Sequence, residues 1–388
     1  MKIQAGTGMS GVVDAAQAGR EAATQALAAL SGEPPAVVIV FTTPRYNLDE
    51  LLGGIRSVTG NAQLVGATGS GEIVKGNYLG FGAGVGVLAL TAGPYRFGVA
   101  SASHVKGDLV TAGQQIARES RDRAGKSLHA AIAVFADSLL GDLQQLILGV
   151  YRVTGPKVAI IGGAAGDEQK FIRTFVFHDD KVIEEGVVAL WIASDRPLQV
   201  VTRHGWEPTG IPLLVTRAEG TEIIEIGGRP AAVVYEEQLG LEPGQLTPDK
   251  FWGTSILHPF GLIQSDGTSV IRVARSKTEQ GGLRIQGCVP PTGSAIQVMG
   301  GTPEMLMSVA SEVASAALDQ HPEAGVLLTF SCAARANIFG KNTPEEPRRL
   351  QAVAGAAIPI FGFYCCGEFA RTSGVLATHN ATLTALAL

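Results

Sequence analysis

Three strand–helix–strand units of similar reach recur along this chain, each closing on a glycine-bounded turn, and no other feature limits the fold as much. Ala36-Val-Val-Ile-Val-Phe41 is an apolar, β-branched run and reads as a buried strand. Asn47 with Glu50 three positions on has the form of a helix N-cap. Leu48, Leu51, Leu52 and Ile55 then give that helix one apolar face before the next strand runs into Gly66. Ala130-Ala-Ile-Ala-Val-Phe135 opens a second such unit, which reaches Gly162 through Leu139, Leu143, Leu146, Ile147 and Val150. Gly325-Val-Leu-Leu-Thr-Phe330 opens the third, which passes Leu350 and Val353 to Ile360 and Gly362. The phenylalanine-to-glycine spacings are 25, 27 and 32 positions. One helical crossover of that length predicts parallel neighbouring strands with right-handed connections.

The turns themselves repeat. Gly66-Ala-Thr-Gly-Ser-Gly-Glu72 and Gly362-Phe-Tyr-Cys-Cys-Gly-Glu368 share glycine, four residues, glycine and acid, and Gly162-Gly-Ala-Ala-Gly166-Asp167 echoes them. A glycine-flanked turn at a strand end exposes backbone N–H groups beside a carboxylate, which suits a small polar ligand. The duller reading is that Glu72 and Glu368 pin their own turns. Phe330-Ser-Cys-Ala-Ala-Arg335 leaves the third unit's first strand, so Cys332 and Arg335 fall at the same sheet end as Glu368. Arg335 is a candidate for bidentate capture of a ligand carboxylate, or else the partner of Glu345 or Glu346. Cys332 is a candidate nucleophile if a base such as His379 lies close, or else a small packed residue. The expected ligand site therefore comprises Glu72, Thr68, Ser70, Asp167, Cys332, Arg335, Cys365, Glu368 and Asn380.

Composition removes several function classes. The chain has 388 residues, enough for about two domains, and its Lys and Arg form no basic stripe, which argues against nucleic acid. Four cysteines are too few for a disulfide framework, and Cys365-Cys366 lacks a second pair at zinc spacing. The start lacks an apolar signal core and the apolar runs are short, so the expectation is a soluble, cytoplasmic protein away from membranes. Seven scattered histidines form no zinc or haem-attachment motif, although a noncovalent haem needs only one axial histidine. Gly6-Thr-Gly-Met-Ser-Gly11 matches the dinucleotide fingerprint without its second acid-bearing strand, and reads as a flexible entry to an Ala-rich helix over 12–30. Further strands are expected at Gly84–Leu90, Phe97–Ala102, Phe171–His178, Gly186–Ile192 and Gln199–His204. A second sheet is expected between Leu213 and Val298, followed by a helix started by Thr302-Pro303. The architecture predicted is α/β, with two mixed-sheet domains over 1–220 and 221–388 and a ligand cleft between them or at the strand ends.

The closing segment Gly362–Phe369, together with Thr378-His-Asn-Ala-Thr-Leu-Thr384, resembles the end of FIST proteins, the F-box and intracellular signal transduction family. Phe330–Arg335 resembles its Cys-x-x-Arg element, and Gly66–Glu72, Gly162–Asp167 and Gly228-Arg-Pro-Ala231 resemble further motifs in matching order. Cys366 departs from the common form, where an aromatic is frequent. The resemblance implies a sensory module that binds a small polar metabolite such as an amino acid and signals through a partner. It also implies an alternative, a haem-dependent nitric oxide sensor regulating a histidine kinase or a cyclic-dinucleotide enzyme. For that alternative the candidate axial ligands are His379, His321 and His258. An enzyme using Cys332 or a carboxylate pair is the third alternative.

Overall fold

The computed structural model describes residues 2–82, 84–371 and 378–388. Its frame is one α/β unit used three times. The first unit runs β1 (Ala5–Ser10), α1 (Ala15–Ala28), β2 (Val37–Thr42), α2 (Leu48–Thr59), β3 (Gln63–Thr68), a hairpin β4 (Glu72–Val74) and β5 (Asn77–Leu79), and β6 (Val85–Leu90). The second repeats it as β7 (Tyr95–Ala102), α3 (Leu109–Ala124), β8 (His129–Ala136), α4 (Leu143–Thr154), β9 (Ala159–Ala164), β10 (Val176–His178), β11 (Lys181–Ile183) and β12 (Val187–Ser194). The third begins with β13 (Val200–Arg203) and then carries an insert with its own nine-stranded sheet and helices Ala231–Gln238 and Pro248–Ser255. It resumes as α5 (Pro303–Gln320), β14 (Leu327–Cys332), α6 (Ala333–Phe339), α7 (Glu345–Ala354), β15 (Ile360–Cys365), β16 (Glu368–Ala370), β17 (Thr378–His379) and β18 (Leu383–Ala387).

The crossovers form as the sequence predicts. Asn47 caps α2, accepting from the Glu50 amide, and Thr302 caps α5 with Pro303 at the first helical position. The strands flanking each crossover, β2 with β3, β8 with β9 and β14 with β15, pair in parallel. Two expectations need correction. Residues 5–10 are a strand, not a flexible entry, because Gly6 and Gly8 lie so close under α1 that any Cβ would collide with the carbonyls of Ala26 and Ala22. The strand expected over Phe171–His178 begins only at Val176, because the backbone amides of Phe171, Ile172 and Arg173 all donate to the Asp167 carboxylate instead.

None of the three sheets is completed by its own unit. Hairpin β4–β5 of the first unit pairs with β15 of the third. Hairpin β16–β17 of the third pairs with β9 of the second, and hairpin β10–β11 of the second pairs with β3 of the first. The exchange closes a ring around a pseudo-threefold axis. Phe41, Phe135 and Phe330, each near the end of its unit's inner strand, meet there with ring centroids 5.3, 6.1 and 5.8 Å apart. Phe363 stacks on Phe41 at 4.2 Å. The buried cluster around them draws side chains from all three sheets, so the repeat seen in sequence is a packing repeat. Among the described residues, no helix is long and apolar enough to cross a membrane.

Candidate functional site

The glycine-bounded turns sit at the C-terminal ends of β3, β9 and β15, close to the axis. Their first glycines, Gly66, Gly162 and Gly362, lie against the neighbouring strand, where a Cβ would meet the carbonyl of Val40, Val134 or Thr329. Gly71 and Gly367, just before the acids, hold φ values of 117° and 123°, which side-chain-bearing residues rarely adopt. The exposed amides expected for a ligand are used within the protein. Ser70 N donates to Tyr364 O (2.8 Å), Cys366 N to Ala164 O (2.9 Å) and Gly166 N to Thr68 O (2.8 Å). Each donor stands four residues after its unit's first glycine and each acceptor two after it, so the bonds form a cyclic clasp joining the three turns. The clasp explains why the motif recurs, and it leaves these three amides unavailable to a ligand.

The two glutamates meet different surroundings. Glu368 is buried at the start of β16. Its carboxylate accepts from Thr382 N (3.1 Å), Thr382 Oγ1 (2.7 Å) and Cys365 Sγ (3.4 Å), and the Cys332 thiol lies nearby. Burial pushes its carboxyl up to about 7, against the lowering pull of those hydrogen bonds. Glu72 is equally buried, but among the described residues neither carboxylate oxygen has a hydrogen-bond partner. Desolvation raises its carboxyl well above the ordinary range, its own backbone N–H opposes that rise, and the Glu168 charge adds to it. Gly84 stands beside Glu72 where Thr382 stands beside Glu368, so the donor is missing on that side.

A small pocket of about 30 Å³ opens at the ends of β14 and β15. It is lined by Cys332, Cys365, Cys366 and Asn380 from the third unit, Gln169 and Phe171 from the second, and Trp252, Val273 and Gln286 from the insert. The roof is held from both sides. The Gln169 amide bonds Asn337 (2.9 Å) and the Ala333 carbonyl (3.3 Å), and the Arg275 guanidinium lies over the Phe171 ring at 4.1 Å. Glu168, Gln169 and Phe171 all hold left-handed φ near 60°, an arrangement costing on the order of 1–3 kcal/mol per residue that the loop's side-chain bonds sustain.

Of the residues expected at one site, the structure brings together Cys332, Cys365, Glu368 and Asn380. Thr68 and Ser70 lie in the clasp, and Thr68 Oγ1 is held by Phe175 N. Asp167 ties down the 171–173 backbone. Arg335 is fully buried and ion-paired with Glu346 at 2.6 Å, with further bonds to the carbonyls of Leu306 and His204. Its guanidinium is therefore turned into the protein, and of its two expected partners it takes Glu346, in the interior and not on the surface. Neither glutamate lines the pocket itself; Glu368 stands behind Cys365, which does, whereas Glu72 bonds none of the lining residues. Sequence reasoning passed over Glu168, Gln169, Phe171, Trp252 and Thr382. Glu168 was within reach, because it stands six residues after Gly162, as Glu72 and Glu368 do after Gly66 and Gly362. It accepts from Thr43 Oγ1 (2.8 Å), Gly82 N (3.0 Å) and Arg45 Nε (2.7 Å).

Sequence models of the FIST N domain and the FIST C domain match residues 36–229 and 231–371. The chain belongs to the FIST family. Its FIST N part carries most of the first two repeats and the first strands of the insert, and its FIST C part carries the rest of the insert and most of the third. Similar proteins include an uncharacterized protein of Mycobacterium tuberculosis, 26% identical over 98% of both chains. One of Mycobacterium bovis is 27% identical over 98% of this chain and 97% of its own. One of Methanocaldococcus jannaschii is 28% identical over 61% of this chain and 49% of its own. A solved cyanuric acid hydrolase from A. caulinodans aligns along the whole chain with a TM-score of 0.36 and 9% identity.

The described residues do not fit the haem expected for the alternative reading. His379 directs Nε2 to the Ala370 carbonyl (2.7 Å), and burial drives it down to about 4. His321 Nε2 pairs with the Tyr95 hydroxyl (3.0 Å) in an open groove lined by Lys2, Asp195, Arg196 and Glu323. His258 is half-buried and does not line the small pocket. His379 and His321 each line a groove rich in polar side chains, and none of the three lines the apolar pocket. Among the described residues there is also no cluster of three or more His, Cys, Asp or Glu side chains able to hold a metal ion.

Proposed function

We propose that this chain is a sensory protein of intracellular signalling, whose small ligand enters the pocket above Glu368. One observation carries this reading. A buried carboxylate, oriented by the Thr382 amide and hydroxyl, accepts from the Cys365 thiol that lines a pocket at the ends of parallel strands, with carboxamides from three segments around that pocket. A small polar metabolite with an amino group suits that floor, with Asn380, Gln169 and Gln286 as further polar contacts. The cavity holds a water or two as it stands, so an occupant of amino-acid size must lift Phe171 and Trp252. Those two rings come from the FIST N and the FIST C part, so ligand uptake alters the contact between the two parts. That change is what a partner, such as a histidine kinase or a cyclic-dinucleotide enzyme, would read.

The test is a thermal-shift screen of small metabolites followed by calorimetry. Glu368→Gln and Asn380→Ala should weaken the hit at least tenfold, about 1.4 kcal/mol. Glu72→Gln should leave it unchanged. Equal affinity in wild type and both pocket variants overturns this reading.

A further inference from the structure

The pocket is walled by sulfur as well as by amides. Cys332 is the last residue of β14 and leads directly into α6. Its thiol lies close enough to the Glu368 carboxylate and to the backbone amides of Ala334 and Ala381 to feel all three. Cys365 donates to Ser331 O (3.4 Å) and to Glu368 Oε1 (3.4 Å), which steadies the carboxylate from the other side. Cys366 lies against the apolar cluster of the second unit, and Cys288 stands apart beside Arg272. Cys332 therefore combines a pocket position, a proton acceptor and amide donors for a developing negative charge.

We propose that Cys332 is a nucleophile, with Glu368 as its proton acceptor, and that the pocket captures small neutral electrophiles of the conjugated-carbonyl class. This rests on the reading of the pocket as the ligand site. The thiol proton passes to a Glu368 oxygen while the sulfur electron pair forms a bond to the β-carbon of the electrophile. The carbon–carbon π pair shifts to an enolate, and Glu368 returns the proton to the α-carbon. The adduct is the sum of its reactants, with no leaving group and no oxidant. Phe171, Trp252 and Val273 give the cavity an apolar wall, and a reagent of acrylamide size must lift Phe171 and Trp252 to enter, as a metabolite must. At rest, burial and the Glu368 charge hold both thiols protonated, so reaction begins only with the transfer to Glu368. The titratable groups facing that carboxylate are Cys332, Cys365 and Cys366; the His379 ring is turned to the Ala370 carbonyl.

Acrylamide, a small neutral conjugated carbonyl, is the probe, applied to the folded full chain and read by peptide mass spectrometry. Cys332 should be labelled faster than the other three cysteines. The rate should rise with pH through about 7 as Glu368 ionises, and Glu368→Gln should abolish that rise and slow labelling on the order of 100-fold. Labelling of Cys332 no faster than of Cys365 and Cys366, or a rate and pH profile unchanged by Glu368→Gln, overturns the proposal. If Glu368→Gln does not fold, Thr382→Val decides: loss of that hydroxyl should move the pH midpoint upward, and an unmoved midpoint counts against the role of Glu368. Acrylamide capture without any reversible ligand overturns the sensory reading alone. Metabolite binding with inert Cys332 overturns the nucleophile alone.

Discussion

The first and third repeats carry the same turn and put it to different ends. Gly66–Glu72 and Gly362–Glu368 share the glycine spacing, the positive φ before the acid and the place in the clasp. Yet Glu368 has Thr382, Cys365 and Cys332 around it and a pocket beside it, whereas Glu72 is buried beside Gly84, Gly69 and Tyr78 with no hydrogen-bond partner among the described residues. The motif sets the backbone, and side chains that arrive from other segments decide whether the acid has work to do. Thr43 and Cys332 make the same point, since both stand two residues past the axial phenylalanine. One bonds Glu168 and the other faces the pocket.

Substitutions can break this comparison, and the largest effect is expected at Arg335, five residues past Phe330, as Tyr46 is past Phe41. Arg335→Met strands a fully buried Glu346 and should cost about 3–5 kcal/mol in urea unfolding. Tyr46→Phe, which loses one bond to the Val12 carbonyl, should cost only about 1 kcal/mol. Next comes acidity. The Glu368 carboxyl titrates near 7 when folded against 4.5 in an ordinary setting, so its contribution to stability is complete below about 4.5 and is lost as pH rises through 7. The window is worth on the order of 3 kcal/mol at 1.36 kcal/mol per unit, and Glu368→Gln should flatten that part of the stability-versus-pH curve. Glu72 is shifted in the same direction, so Glu72→Gln should likewise stabilise the protein at pH 8 relative to pH 5. A wild-type curve flat from pH 5 to 8 would sink both expectations. Thr382→Val, which gives Glu368 part of the poverty of Glu72, should cost about 1.5–3 kcal/mol above pH 7 and less below. The smallest expected contrast separates the two left-handed glycines. Gly367→Ala meets only ordinary contacts, with the His379 carbonyl at 3.6 Å, and should cost about 1–2 kcal/mol of backbone strain, whereas at Gly71 the Tyr78 ring lies only 2.5 Å from the new methyl and adds to that cost. Equal losses at the two positions would mean that Tyr78 moves aside freely.

What the sequence disclosed was local. The crossovers around Phe41, Phe135 and Phe330, the caps at Asn47 and Thr302 and the family itself were all legible, because periodicity and capping act within a turn or two of chain. The candidate site was legible only in its neighbours along the third unit. Cys332, Cys365, Glu368 and Asn380 do converge. Glu72 was grouped with them because the turn was read without knowing which sheet its hairpin would join. The clasp was also out of reach, since the partner of the Ser70 amide lies almost 300 residues away and no local pattern encodes that pairing. Arg335 misled for a related reason. An arginine at a strand end suits an anion, and only packing reveals that α7 brings Glu346 onto it.

The hairpin exchange also bears on how the chain is made. The strand pair Glu72–Leu79 has no docking edge until Ile360–Cys365 has been synthesised. At roughly 5–20 residues per second, the nascent chain carries that segment unpaired for some tens of seconds. The first third of the molecule thus leaves the ribosome with a sticky β-ribbon whose berth does not yet exist. Stalled nascent chains ending before residue 360 should be cut by protease at the ribbon, and chains released after 388 should resist. A ribbon protected in the shorter chains would show that some other surface shelters it in the meantime.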